Sequence, residues 1–141
     1  MKKRGITTLW LLMVALVMMA KSYTVTSPNG QLTAQVEVGT VIKYSLKDAS
    51  QQLVLPSAIA LKTDRGTWGE NSHLRRAVKT THRGQIAAFA YKRNEVSDCY
   101  NQLRLQFKEG FDLIFRLYDE GMAYRFASTL KSEVTINDEQ A

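Results

Sequence analysis

The groups of this 141-residue chain that could do chemistry are thirteen carboxylates, two histidines and one cysteine. Acid–base and nucleophilic mechanisms need such groups in pairs, within hydrogen-bond reach of one another. From Asp98 onward the carboxylates are Asp98, Glu109, Asp112, Asp119, Glu120, Glu133, Asp138 and Glu139, with a few earlier. Asp112, Asp119 and Glu120 fall at the ends of apolar runs, where acidic residues serve turns and solubility. In the sequence none has a visible partner or a burying context that would raise its pKa. No catalytic residue is therefore assigned. Cys99 is the single cysteine, which rules out an intramolecular disulfide and a cysteine-based zinc site. It reads as a small half-buried hydrophobe, and no base is paired with it. His73 and His82 are too far apart and too poorly accompanied to be metal ligands, so no metal residue is assigned.

Three further residues carry binding potential. Arg116 and Arg125 sit one position from Phe115 and from Tyr124 and Phe126, so each opposes an apolar face. If their strands pair, both lie on one side of a sheet, and ion pairs with Asp98 or Glu133 are expected there rather than a ligand. Trp68 lies in the polar stretch Thr63–Asn71, which reads as a loop. Its ring could stack on a sugar, or pack back on the body of the protein, as large aromatics do. Packing back is the expectation. The basic run from His73 to Arg83 is expected to be a solvated strand pair rather than an anion site.

The elements that position these residues are strands. From Asp98 to Ala127 apolar residues recur at every second position: Leu103, Leu105, Phe107; then Leu113, Phe115, Leu117; then Met122, Tyr124, Phe126. A period of two places alternate side chains on opposite faces. Lys108-Glu109-Gly110 and Asp119-Glu120-Gly121 separate the runs, each with a glycine suited to a tight turn. The stretch predicts an antiparallel meander with those apolar residues, Met122 aside, mostly buried. Upstream, Tyr23–Thr26, Gln31–Val38, Ile42–Leu46, Ala58–Leu61 and Ile86–Tyr91 read as further short strands. Lys92–Val96 reads as a turn, and Val134–Glu139 as a last strand. Short strands at regular spacing, with no helix of convincing length, predict an all-β antiparallel sandwich.

Length and composition fit one globular domain, with 45% hydrophobic residues. Lys2-Lys3-Arg4 followed by the apolar run Ile6–Ala20 reads as a signal peptide, residues 1–20. A spanning helix needs roughly 20 apolar residues, and this run is shorter, so no stable membrane anchor is expected. Export to a bacterial periplasm follows. Beyond that segment 16 basic residues face 13 acidic ones, a net of +3 rather than +6. The charges are scattered along strands, which argues against nucleic-acid binding.

The residues Asp98, Tyr100, Asn101, Leu103, Phe115, Arg116, Tyr118, Gly121, Ala123, Tyr124, Arg125 and Phe126 resemble a pattern of the N-terminal domain of glycoside hydrolase family 97. These are SusB-like secreted α-glucosidases and α-galactosidases. Ser27, Pro28, Asn29, Gly30 and Leu32 resemble the opening turn of the same domain. Cys99 and Gln102 depart from the usual His and Glu, and Asp119-Glu120-Gly121 from Asn-Asp-Gly. The resemblance implies a galactose-mutarotase-like supersandwich, of which 21–141 is the first part and which this chain leaves incomplete. It implies catalytic carboxylates and most calcium ligands on a following (β/α)₈ barrel. One further calcium-binding Glu is implied in the later part of the N-terminal domain. No catalytic, metal or substrate-binding residue is carried over to this chain. Calcium is implied for the full-length enzyme and no cofactor for this segment. The barrel is the implied partner, and an oligosaccharide reaches the protein through it. Two alternatives stand beside this one. They are a separate carbohydrate-binding sandwich using Trp68, and an interaction protein that pairs through a sheet edge.

Overall fold

The computed structural model describes residues 20–87 and 95–141. The apolar leader and most of the expected Ile86–Tyr91 strand and Lys92–Val96 turn lie outside them. The described residues form ten strands and no helix, and every pairing is antiparallel. One sheet runs β1 (Lys21–Thr26), β2 (Thr33–Val38), β3 (Ile42–Lys47), β4 (Gln52–Thr63), then β10 (Ile136–Gln140), with β5 (Gly66–Trp68) also paired to β4. The other runs β6 (Leu74–Ala87), β7 (Glu95–Phe107), β8 (Phe111–Leu117), β9 (Met122–Ser128). The expected all-β antiparallel architecture is therefore what the chain adopts.

The sheets share one core. Ala34, Val36, Ile42, Ile59 and Leu61 of the first meet Leu103, Leu105, Leu113, Phe115 and Leu117 of the second. The alternation read in the sequence puts these residues inside because period-two patterning leaves one face apolar. Aromatic rings bridge the layers. Trp68 stacks on Phe111 with centroids 5.0 Å apart, and Phe111 stacks on Phe107 at 4.6 Å. Tyr44 reaches across to Phe115 at 6.1 Å and Tyr124 at 5.5 Å.

Three expectations are corrected. Thr63–Asn71 is not simply a loop, since it contains strand β5, paired to Leu61–Thr63. Its Trp68 is only 4% exposed, so the ring completes the core and cannot stack on a sugar. Gly69 makes this turn possible. It has φ +102°, and a Cβ there would lie 2.5 Å from the Ile59 carbonyl oxygen, so the backbones approach more closely than any side chain permits. Tyr124 and Phe126, expected inside, are half-buried. Asp112, expected at an open hairpin end, is 2% exposed.

Phe115 is fully buried among rings from both sheets. Phe115→Ala should lower unfolding free energy by about 3–5 kcal/mol, measured by urea denaturation. A loss below about 1 kcal/mol, the range of surface changes, would remove Phe115 from the core.

Candidate functional site

The face of the second sheet that points away from the core gathers most of the polar residues singled out in the sequence. Leu103, Leu105 and Phe107 point inward, so Asp98, Tyr100, Gln102 and Arg104 of β7 point outward. The β8 alternates are Asp112, Ile114 and Arg116, and Tyr118 follows them. On β9 they are Ala123 and Arg125, because Arg125 pairs with Ile114 and Ala123 with Arg116. Arg116 and Arg125 thus share a sheet face, as the sequence predicts.

Their contacts differ from the expected ion pairs with Asp98 or Glu133. Arg116 donates from Nε to Gln102 Oε1 at 2.9 Å, and its guanidinium lies 4.4 Å over the Tyr100 ring. Such a cation over an aromatic face is an attractive contact. Tyr100 also meets Tyr118 at 5.3 Å and stacks on His82 at 4.9 Å. Asp98 is taken by His82, Nε2 to Oδ2 at 3.2 Å. This pairing follows from the β6–β7 register, which sets His82 opposite Tyr100 and Gly84 opposite Asp98. Gly84 makes room for it, since a Cβ there would sit 2.8 Å from His82 Nε2. Asp112 is held by Arg104, whose Nε donates to Oδ2 at 2.7 Å and whose Nη2 meets the same oxygen. Asn101 points inward and ties the sheets together, its Nδ2 donating to the Thr26 carbonyl at 2.8 Å.

The other residues considered for chemistry lie elsewhere. Cys99 is on the opposite side of β7 from Asp98 and takes a 3.3 Å hydrogen bond from the Ser97 hydroxyl. His73 stands at the far end of the sheet, its Nδ1 2.7 Å from Glu109, whose carboxylate also accepts the His73 backbone N–H. Partial burial works to raise the Glu109 pKa. The ring and backbone hydrogen bonds from His73 outweigh it and hold the carboxyl below its ordinary 4.5. Asp119 accepts the Asn29 backbone N–H at 2.9 Å, which joins the β1–β2 turn to the β8–β9 turn.

Cleaving a glycoside needs two carboxylates flanking the bond, about 5–10 Å apart. The two on this outer face, Asp98 and Asp112, are each already paired, the second out of solvent. Among the described residues no three His, Cys, Asp or Glu side chains gather to hold a metal ion. The arrangement is a stiffened polar and aromatic face suited to contact.

The chain matches the family described as Glycosyl-hydrolase 97 N-terminal over residues 25–141. It belongs to that family. It is 33% identical over 129 residues to a retaining alpha-galactosidase of Bacteroides thetaiotaomicron, a match covering 91% of this chain and 20% of the relative. A Glycoside Hydrolase Family 97 enzyme from Pseudoalteromonas sp. strain K8, solved in complex with panose, superposes with TM-score 0.73 at 17% identity. That match covers 84% of this chain and 20% of the enzyme. A beta-arabinopyranosidase structure superposes with TM-score 0.74 at 23% identity, over 84% of this chain and 20% of its own. The two structures share the fold. The chain spans about a fifth of the length of the relatives it matches. Within the family 97 N-terminal domain, the matched motif residues Asp98, Tyr100, Arg116 and Tyr118 are neighbours on one face. The sequence carried the motif but not the contact of His82 with Asp98.

Two outcomes follow. Arg104→Met strands the buried Asp112 carboxylate and should cost about 2–3 kcal/mol in urea denaturation, whereas Arg104→Met with Asp112→Leu should recover most of it. The Glu109 carboxyl, lowered in the folded state, adds stability that is full above its ordinary 4.5 and is lost as pH falls through the folded value. Glu109→Gln should therefore cost less than about 1 kcal/mol at pH 7, and the difference should shrink in melts as the pH is taken progressively below 4.5.

Proposed function

We propose that this chain serves as the supporting N-terminal domain of an exported α-glycosidase acting on α-glucosides or α-galactosides. In this reading the domain packs against a (β/α)₈ barrel that supplies the catalytic carboxylates and binds calcium, and it helps shape the sugar site. The observation that carries the reading is the family match over 25–141, in a chain spanning a fifth of its relatives. The carboxylates on the motif face support it, because each is engaged in a structural pair. Export to the periplasm is supported by the basic start and apolar run of residues 1–20. A separate sugar-binding module is disfavoured, since Trp68, the ring it would use, is buried.

The test has two arms. The purified chain, assayed with p-nitrophenyl α-glucoside and α-galactoside in calcium, should show no turnover above a vector control. Residues 21–141, grafted in place of the matched N-terminal fifth of the Bacteroides alpha-galactosidase, should leave activity within about tenfold of the parent, roughly 1.4 kcal/mol in barrier. Turnover by the chain alone, abolished by changing one carboxylate, would overturn the proposal. So would a folded chimera without activity. Secretion should yield a mature chain beginning at Lys21, read from its intact mass, and retention of residues 1–20 would remove the export claim.

A further inference from the structure

Arg116 and Arg125 line a shallow depression of about 130 Å³ together with Ile114, Tyr118, Ala123 and Tyr124. Among the described residues neither guanidinium has a carboxylate within ion-pair distance. The two carboxylates that share this sheet face are consumed by His82 and Arg104. Arg116 is held in place from two sides, by Gln102 at Nε and by the Tyr100 ring beneath it, which leaves its terminal nitrogens as a preset fork. The floor is apolar, with Ile114 6% exposed, so the cations lie over a surface of low polarity. Arg116 leans toward β7 and Arg125 stands exposed on β9, and since both line the depression an anion entering it is attracted by each. Arginine's planar fork matches a carboxylate.

We infer that this depression is a socket for a carboxylate side chain of the polypeptide that follows the domain in longer family members. The inference rests on the reading above. It makes the outer face of β9, together with Arg116 at the end of β8, the docking surface and an acidic residue its anchor. Small Ala123 and the half-buried Arg116 let the partner backbone come close without displacing a large side chain.

The full chain with labelled arginine side chains, titrated with glutarate, should show saturable shifts of the Arg116 and Arg125 Nε–H signals and none for Arg75 or Arg76. Arg125→Ala should weaken the Arg116 response about tenfold. Equal shifts at all arginines, or none, would overturn the socket. So would a preference of more than about tenfold for glucuronate, which would place a sugar acid there instead. In the active chimera, Arg125→Lys offers an amine that a zero-length carbodiimide can join to a touching carboxylate. A cross-link to an acidic residue of the galactosidase part is expected. Its absence, or a link confined to residues 21–141, counts against the inference. A folded but inactive chimera would sink the supporting-domain reading instead, and the glutarate titration, which needs only the chain, would still decide the socket.

Discussion

Strand β8 has almost no solvent-facing side. Phe111, Leu113, Phe115 and Leu117 build the core on its inner face, while Asp112 and Ile114 are buried on its outer face. A strand covered on both sides must satisfy every polar atom locally, because unpaired groups out of water are costly. Asp112 meets that demand through Arg104 on the neighbouring strand. The turn that feeds β8 is equally confined. Gly110 has φ +84°, and a Cβ there would lie 2.4 Å from a Leu130 methyl, so the chain returning from β9 closes over it. The placement of β7 and β9, and with them the motif face, follows from how β8 is enclosed.

This explains which parts of the fold were readable from sequence. The meander was legible because Leu103 to Phe126 alternate with a period of two, and that pattern names both a strand and its inner face. Periodicity says nothing about what covers the other face. Asp112 therefore looked like a turn residue, and its burial depends on Arg104, eight positions earlier. Trp68 sat in a polar stretch whose two glycines suggested a loop. One of them, Gly69, allows the close approach that lays β5 on β4, and the other, Gly66, turns the chain with φ +117°. The contact of His82 with Asp98 depends on a hairpin register that local patterning does not specify.

The motif residues are mainly structural in their contacts. Asn101 of the motif donates to the Thr26 carbonyl; outside the motif, Asp119 in the β8–β9 turn accepts the Asn29 backbone N–H, and the two contacts pin the first sheet at one end of the sandwich. Ser27 reinforces that end, accepting the Leu32 N–H and donating to the Asn29 side chain. Tyr100 is enclosed by His82, Tyr118 and Arg116. These contacts stiffen the domain and shape its outer face.

The β6–β7 ladder continues to Glu95, whereas β8 accompanies β7 only as far as Asn101. From Glu95 to Tyr100, then, β7 has β6 as its only strand partner among the described residues. Two strands alone are marginal in water. One half of β7 is thus supported by two strands and the core and the other by a single strand, an arrangement that lowers local stability toward its Glu95 end. Tyr100 stands where the two regimes meet. Its contacts with His82 on the two-stranded ribbon and Arg116 on the anchored sheet make it the point at which motion of the one is passed to, or withheld from, the other.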